Sequence, residues 1–339
     1  MVIQMLYRGF SDSEKKMMYR CSFLYYRDGL TQEEIGKKLG ITRHKVSDYL
    51  KEAADTGILS IKAPRVYELE GKLIKEFGLW DVRVTMVTDK NSENEVIESL
   101  GIEAASYFEE KVKDGTRVGL SGGRTIAKMV NELEAEKYEN LEVYPLAVGG
   151  GPKIVDISAN TLVALLCMKN PKMLGYILQS PPFIFGSEEQ AEAEKNRLLS
   201  RPDLKEVYES AMRVELGFTG IGCLNTLSVS AKSLTPDPDA LIMELKAKGA
   251  VGDISYQAFG INGQIIDCDF NKRVIAIPLE WLQKITRSSN IHIVGVGGGP
   301  AKVEAILGAI KGGFIDVLIT DEYTAVEVLK FNPALLNIK

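Results

Sequence analysis

Histidine and paired cysteines are scarce in this 339-residue sequence, and each shortage excludes a class of site. The only histidines are His44 and His292, so a histidine-rich metal centre is excluded and imidazole acid–base catalysis has few candidates. The four cysteines form no C-x-x-C pair, which argues against a structural zinc site or a redox dithiol and favours small buried residues. We therefore expect no metal and no cofactor, and we interpret His292, in the strand-like segment NIHIVGV, as structural.

Long apolar segments are also missing. No apolar run reaches the roughly 18 residues that a membrane span needs, and the opening MVIQMLYRGFSDSEKK lacks both the apolar segment and the cleavage site of a secretory signal. Hydrophobic residues at 45% and charged residues at 26% are ordinary for a globular protein. We expect a cytoplasmic protein, and a prior of roughly 100 to 200 residues per domain predicts two domains.

Charge is unevenly distributed along the chain. Residues 1–65 contain 12 Lys or Arg and 8 Asp or Glu, a net charge of +4, whereas the whole chain carries −5 and the remainder therefore −9. A basic N-terminal segment followed by an acidic remainder is the charge distribution expected when only the N-terminal segment binds a polyanion.

The segment LTQEEIGKKLGITRHKVSDYLKEAADTGIL predicts two helices joined by a tight turn. Thr31 and Glu34 have the spacing of a capping box, so a helix begins there, and Gly40 is expected to end it. Thr42 is the expected N-cap of the second helix, which Gly57 should terminate. The small residue Gly36 allows close helix packing, over a core predicted from Ile35, Leu39, Ile41, Val46 and Leu50. This pattern is typical of a helix-turn-helix.

Polar and cationic residues cluster at the start of the second helix, where a recognition helix would meet base edges and where helix amides favour phosphate. Docking of another protein is the alternative use of such a helical hairpin. The predicted DNA-binding residues are Thr31, Thr42, Arg43, His44, Lys45 and Ser47.

Beyond a boundary near Ala63 and Pro64, strand and helix patterns alternate, from WDVRVTMV through TRVGL and LEVYPLAV to IHIVGVGG and FIDVLIT. MLGYILQ, VELGFTGIG and VGDISYQAFG are each predicted as one further strand. Short apolar runs joined through helices indicate a doubly wound, mostly parallel sheet covered on both faces. The predicted domains are residues 1–62, an all-α helix-turn-helix domain, and residues 63–339, an α/β domain.

Three strand-to-helix turns contain adjacent glycines: LSGGRT, VGGGPK and GVGGGPAK. Glycine lets the backbone approach an anion, and the following helix directs amides toward it. Hydroxyls of Ser121 and Thr125, the guanidinium of Arg124 and the ammonium of Lys302 would complete a phosphate site. From Gly295 the third glycine of a dinucleotide motif would fall on a proline, and no Walker loop occurs. The alternative is that these glycines only make tight turns, which is equally open for VGGGPK.

Three carboxylates follow predicted strands and could accept hydrogen bonds from sugar hydroxyls. They are Asp253 in GAVGDI, and Asp321 and Glu322 in LITDEYTA. Each could equally cap a helix or a turn, so both readings stay open.

Taken together, the helix-turn-helix followed by LSGGRT, GAVGDI and GVGGGPAKVEAILGAIKGGFIDVLITDE resembles the SorC/DeoR-type family of bacterial transcriptional regulators. The resemblance covers nearly the whole chain after about residue 15. It implies a body similar to sugar-phosphate isomerases and deaminases, used as an effector sensor. It also implies that residues 121–125 form a phosphate loop, that Lys302 helps to hold the same phosphate and that Asp253 lies near sugar hydroxyls.

The resulting prediction is a DNA-binding regulator, not an enzyme, switched by a phosphorylated sugar and acting as a homodimer or homotetramer. The alternative is a phosphosugar isomerase or deaminase with a helical N-terminal domain. The expected partners are operator DNA and the sugar phosphate, with no membrane. The predicted effector-binding residues are Ser121, Gly122, Gly123, Arg124, Thr125, Asp253, Gly297, Gly298, Gly299 and Lys302.

Overall fold

A computed structural model shows the chain divided into two compact units, residues 1–62 and residues 63–339. Within the described parts, no helix is long and apolar enough to cross a membrane. The structure describes residues 10–27, 29–56, 65–149, 155–224, 234–235, 237–286 and 291–331.

The first unit is helical. Its elements are α1 (Asp12–Ser22), one π-helical turn (Phe23–Arg27), α2 (Gln32–Leu39) and α3 (Arg43–Asp55). The predicted capping box of α2 is confirmed, because Thr31 accepts the Glu34 amide while the Glu34 carboxylate accepts the Thr31 amide at 2.8 Å. Gly40 ends α2 with a φ of 70°, and Thr42 caps α3. The predicted stop at Gly57 lies outside the described residues.

The predicted core of the helical hairpin is also confirmed. Ile35, Val46 and Leu50 are buried together with Cys21 and Leu24 of the preceding helical segment. A side chain at Gly36 would lie 2.7 Å from the Ile41 carbonyl oxygen, so only glycine lets the turn pack this closely against α2. The hairpin geometry therefore follows from short-range sequence signals.

The second unit alternates strands with helices. Its strands are β1 (Asp81–Thr85), β2 (Arg117–Leu120), β3 (Glu142–Pro145), β4 (Leu174–Gly175), β5 (Leu216–Gly220), β6 (Gly222–Cys223), β7 (Ala250–Ile254), β8 (Gln257–Gly260), β9 (His292–Val296) and β10 (Val317–Asp321). Its helices are α4 (Tyr67–Phe77), α5 (Glu93–Lys111), α6 (Arg124–Glu132), α7 (Ala159–Lys169), α8 (Glu188–Leu199), α9 (Pro202–Ala211), α10 (Pro238–Ala247), α11 (Asp269–Arg273), α12 (Leu279–Ile285), α13 (Val303–Lys311) and α14 (Glu322–Lys330). Short 3₁₀ turns cover Ala135–Lys137, Val155–Ile157 and Pro300–Lys302.

Seven strands form one sheet in the order β1-β10-β9-β5-β2-β3-β4, and every pairing in it is parallel. Val118 of β2 pairs with Leu216 of β5, and Phe218 pairs with Val294 of β9. Two large apolar clusters contain side chains of these strands together with helix residues. The predicted doubly wound parallel sheet is confirmed.

A second, three-stranded sheet departs from the prediction. The segment VGDISYQAFG was expected to be one strand, which is wrong: it forms β7 and β8, an antiparallel pair with a turn at Ser255 and Tyr256. The apolar alternation of the segment hides this turn, because Ser-Tyr is not one of the Asn-Gly, Asp-Gly or Gly-Gly pairs that signal a two-residue hairpin. β6 pairs with β7 and completes the sheet in the order β6-β7-β8.

Two further differences concern the far edge of the parallel sheet. MLGYILQ contributes only the two exposed residues of β4, not a buried strand. Helices α8 and α9 were not predicted; the apolar periodicity of α8 is weak, and α8 buries only Ala191 and Leu198.

His292 has the structural role expected of it. Its ring stacks on Trp80 with centroids 4.5 Å apart, and its Nδ1 lies 2.6 Å from Asp316 Oδ2. The other Asp316 oxygen accepts the Ile293 amide at 2.7 Å. This cluster is at the amino ends of β9 and β10, opposite the glycine turns.

Candidate ligand site and nucleic-acid interface

The strand order of the parallel sheet reverses between the adjacent strands β2 and β5. From β2 the chain proceeds outward through β3 to β4, whereas from β5 it proceeds through β9 to β10. In doubly wound sheets, ligands bind in the crevice outside the carboxyl ends at such a reversal. A cavity of about 400 Å³ lies at this place, lined by the turns after β2, β5, β7 and β9 and by one side of α5.

The first glycine turn leads directly from β2 into α6. A side chain at Gly122 would lie 2.7 Å from the Ile157 carbonyl oxygen, and Gly123 has a φ of 128°, a region that favours glycine. Gly123 is the N-cap of α6, which has no side-chain cap. The first intrahelical bond is donated by Ala127 to Gly123 at 2.9 Å. The amides of Arg124, Thr125 and Ile126, in the first turn of α6, therefore have no intrahelical acceptor and form a helix N-terminus at the cavity, where an anion is favoured.

Two predicted members of this loop have different positions. Thr125 is buried and lines the cavity. Ser121 does not line it: its hydroxyl donates to the Gly122 carbonyl oxygen and accepts the Gly220 amide, both at 3.2 Å. Ser121 thus ties the turn after β2 to the turn after β5.

The second glycine turn repeats the backbone pattern of the first, and its N-cap amide also has a partner, as the Gly123 amide has in the Ile157 carbonyl oxygen at 2.9 Å. A Cβ at Gly298 would overlap Asp321 Oδ2, and Gly299 has a φ of 90°. The Gly299 amide donates to Asp321 Oδ2 and to Thr324 Oγ1, both at 2.8 Å. Gly297 is buried as an extension of β9 and does not line the cavity. Gly298, Gly299 and, one turn later, Lys302 do.

Lys302 is the cation that this second turn brings to the cavity. Burial lowers its pKa, while the negative charge of Asp253 acts in the opposite direction. An ammonium in such surroundings gains more from a bound anion than one in water does, because the electrostatic attraction is less screened. Lys302 is therefore placed to hold a negatively charged ligand group.

Arg124 lies at the rim and already has a partner. Its guanidinium forms an ion pair with Glu93 at the start of α5, and the two side chains are 45% and 59% exposed. The hydrogen bond from Arg124 lowers the pKa of Glu93, and the charge of Lys302 lowers it further. A ligand phosphate that used Arg124 would compete with this carboxylate.

Asp253 is the most unusual group in the cavity. Its side chain is only 6% exposed, and none of the described residues donates a hydrogen bond to its Oδ1. Burial raises the pKa of Asp253 to about 6, although a hydrogen bond from the Tyr256 amide and the charge of Lys302 act against this rise. A buried polar atom without a partner is costly and is therefore a candidate binding group.

Sequence reasoning missed several residues of the cavity wall. Gly220 ends β5 and Gly222 begins β6, and their signal was visible as the G-x-G at the end of VELGFTGIG. Ser255 and Tyr256 had no signal, because they were read as strand. The side of α5 facing the cavity adds an apolar surface from Val96, Ile97 and Leu100.

The remaining sequence candidates have structural partners. Asp321 caps α14 by accepting the Thr324 amide at 2.9 Å. The Glu322 carboxylate accepts the Val87 amide at 3.0 and 3.2 Å. The capping interpretation thus describes Asp321, whereas Glu322 binds the segment after β1 and caps none of the described helices. In the third glycine turn, Gly149 follows β3, while residues 150–154, including Lys153, lie outside the described residues.

The residues predicted to bind DNA lie at the starts of α2 and α3 in the first unit. Thr31, Thr42, Arg43, His44, Lys45 and Ser47 are all exposed. The Thr42 hydroxyl accepts the Lys45 amide at 3.2 Å, and the Thr31 hydroxyl donates to Glu34 at 2.7 Å, so both threonines act as helix caps. The Lys45 ammonium lies 4.6 Å from the centre of the Tyr49 ring. Arg43, His44, Lys45 and Ser47 all lie in the first turns of α3.

Residues 62–330 match the family model described as "Putative sugar-binding domain". Among curated proteins, the chain is 28% identical over 324 residues to the transcriptional regulator LsrR of Escherichia coli (strain SMS-3-5 / SECEC), covering 94% of this chain and 95% of the relative. It is 27% identical over 321 residues to the deoxyribonucleoside regulator of Bacillus subtilis (strain 168), covering 93% and 97%.

Solved structures share the fold. The full-length sorbitol operon regulator SorC from Klebsiella pneumoniae has a TM-score of 0.70 at 23% identity, covering 95% of this chain and 100% of that one. A DeoR family transcriptional regulator from Listeria monocytogenes has a TM-score of 0.66 at 27% identity, covering 77% and 98%. The family match spans most of the chain, and the chain therefore belongs to the SorC/DeoR-type family of transcriptional regulators with a sugar-binding domain.

Proposed function

We propose that a phosphorylated sugar binds in the cavity of the second unit and switches the binding of the first unit to operator DNA. The observation that carries the proposal is that one cavity contains both anion-binding groups and a carboxylate that can accept hydrogen bonds. The uncapped N-terminus of α6 and the ammonium of Lys302 favour an anion, whereas the buried carboxylate of Asp253 can accept hydrogen bonds from hydroxyls. A phosphate and a polyhydroxyl chain in one small molecule satisfy both.

The size of the cavity supports this ligand class. Small-molecule sites usually have volumes of about 300–1,000 Å³, and the cavity of about 400 Å³ is at the lower end of that range. Its apolar side, formed by α5, can contact the carbon–hydrogen faces of a sugar. The ligand we propose is therefore a sugar monophosphate.

Thermal unfolding against a panel of sugar phosphates and their unphosphorylated counterparts tests the proposal. A ligand at a hundredfold excess over its dissociation constant stabilises a single site by about 2.7 kcal/mol, which should raise the melting temperature by a few degrees. We expect a rise with one or more phosphorylated sugars and none with their free sugars. Equal shifts with both forms, or no shift with any phosphate, would contradict the proposal.

An enzyme is the second candidate, and the pKa of Asp253 is the observation that favours it. A carboxylate with a pKa of about 6 is suited to act as a general base near neutral pH. No histidine is among the described residues that line the cavity. NMR of each stabilising ligand with the protein decides between the two candidates, because a regulator leaves the ligand unchanged and an isomerase or deaminase converts it.

We propose that α3 reads DNA through Arg43, His44, Lys45 and Ser47, with Thr42 and Thr31 fixing the helix ends. One short recognition helix buries too little surface for tight operator binding. Two first units on a palindromic site are therefore expected, in a homodimer or homotetramer. Sedimentation of the full chain with operator DNA would report this stoichiometry.

Arg43→Ala or Lys45→Ala should weaken operator binding by about 1 to 3 kcal/mol, because each removes a cation from the exposed start of α3. The slope of log affinity against log salt should also fall by about one for each lost phosphate contact. Fluorescence anisotropy with labelled operator at several salt concentrations measures both quantities.

Lys37→Ala provides the matched control, because Lys37 is an exposed lysine of α2 that is already paired with Glu33 at 3.1 Å. It should change operator affinity much less. Loss of sugar-phosphate binding in Arg43→Ala or Lys45→Ala would show that the functions of the two units have been misassigned.

A further inference from the structure

The turn between β7 and β8 has an unusual backbone. Ser255 and Tyr256 have φ values of 50° and 71°, and they are the two central residues of a hairpin whose flanking residues, Ile254 and Gln257, pair with each other. Positive φ at both positions is the pattern of a type I′ turn, which strongly favours Asn-Gly. Serine and tyrosine are disfavoured there, and such strain persists only where the surrounding structure maintains it.

The ring of Tyr256 shows what maintains this turn. It is 5% exposed and belongs to the apolar cluster that includes Leu245, Ala258 and Phe270. Its hydroxyl lies 3.5 Å from the Val148 carbonyl oxygen. The buried ring thus anchors the turn to the body of the second unit, a contact that the glycine of a relaxed turn could not make.

The strained turn also contacts the Asp253 carboxylate, whose Oδ1 has no hydrogen-bond donor among the described residues. The Tyr256 amide donates a hydrogen bond to Asp253, and both residues of the turn line the cavity beside Asp253. On the other side, β6 places Gly222 opposite Asp253 in the antiparallel pair. A Cβ at Gly222 would overlap Asp253 Oδ1, so this glycine leaves the space that the carboxylate occupies.

We propose that Tyr256, in this strained turn, is a positioning residue that holds the Asp253 carboxylate against the cavity, with Gly222 leaving the space for it. In this arrangement the three-stranded sheet selects the sugar part of the ligand, while α6 and Lys302 bind the phosphate part. The inference rests on the proposed function, since it assigns separate roles to two sides of the same cavity. Tyr256 acts through Asp253, so its loss should alter selectivity more than phosphate binding.

The test compares two affinities in each protein by calorimetry: that for inorganic phosphate and that for the sugar phosphate giving the largest thermal shift. Tyr256→Gly relaxes the turn and removes its anchor, so the ratio of sugar-phosphate to inorganic-phosphate affinity should fall about tenfold or more while inorganic phosphate still binds. Tyr256→Phe is the matched control, because it keeps the ring, and should preserve the ratio.

Gly222→Ala is the second variant, and it decides the question if Tyr256→Gly fails to fold. It leaves the turn intact but displaces the Asp253 carboxylate, so the same fall in the ratio is expected. An unchanged ratio in the folded variants, or a parallel loss of inorganic phosphate, would overturn the positioning role. A wild-type protein that binds no sugar phosphate would refute the proposed function, and this inference with it, before any variant is compared.

Discussion

Lys302→Met should weaken the binding of a phosphorylated sugar about a hundredfold, or about 3 kcal/mol, and leave the weak binding of the free sugar unchanged. The substitution keeps most of the apolar stem of Lys302 but removes the ammonium that the turn after β9 brings to the cavity. Truncating one partner of a desolvated charge pair usually costs about 2 to 5 kcal/mol. Calorimetric titration of wild type and variant with both forms of the sugar measures the difference.

Lys90→Met is the matched control for this experiment. Lys90 also lines the cavity, but it lies at the exposed rim with its ammonium 5.5 Å from the centre of the Tyr323 ring. Its loss should reduce phosphate affinity only slightly, because a solvated charge contributes little. Equal weakening of phosphorylated and free sugars by Lys302→Met would mean that Lys302 supports the cavity and does not hold the phosphate.

Asp253→Asn should stabilise the protein at neutral pH while weakening sugar-phosphate binding. Burial raises the pKa of Asp253 to about 6 from its usual 3.8, so ionising this carboxyl in the folded state costs about 3 kcal/mol at pH 7 to 8. A raised carboxyl pKa means that the folded state binds the proton more tightly, and stability is therefore lost as pH rises from about 4 to about 6. Asparagine has no such charge, so its advantage should be largest above pH 6 and should disappear below pH 4.

Urea unfolding of both proteins at pH 4 and pH 8 measures this effect. Asp321→Asn is the control, because Asp321 is also fully buried but both of its oxygens have donors in Thr324 and Gly299. That variant should be destabilised by about 1 to 3 kcal/mol. If Asp253→Asn is less stable than wild type at pH 8, the wild-type Asp253 carboxylate must have hydrogen-bond donors in solution.

The two Asp253 effects would have opposite signs, which distinguishes a binding group from a structural one. A carboxylate kept in an unfavourable environment becomes useful only when hydroxyls of a ligand donate to it. Removing the Asp253 charge would stabilise the protein and weaken sugar-phosphate binding, which is the usual trade-off between stability and function.

The sequence predicted features that depend on neighbouring residues. The caps at Thr31 and Thr42 and the turn at Gly40 each involve groups within four residues of one another, so local chemistry determines them. The parallel sheet was also predictable, because buried strands and covering helices alternate in their apolar patterns. The glycine turns at the ends of β2 and β9 were recognised for the same reason.

Features that depend on distant residues could not be predicted. The Gly299 amide is bound by Asp321 and Thr324, more than twenty residues later, so the second turn provides a cation and not a glycine amide. Glu93, which lies 31 residues earlier in the sequence, forms an ion pair with Arg124. The turn at Ser255 and Tyr256 contradicts local preference altogether, and only its packing in the folded unit explains it.

The order of the strands has a consequence for partial unfolding. The cavity is assembled from turns after β2, β5, β7 and β9, which are far apart in sequence: β9, β5 and β2 are neighbours in the parallel sheet, and β7 belongs to the three-stranded sheet. Detaching any one of these segments destroys the site, so a bound ligand should suppress local opening of all of them together. Amide hydrogen exchange should therefore slow in β2, β5, β7 and β9 as one cooperative group, with proteolytic resistance rising across the same stretch of chain.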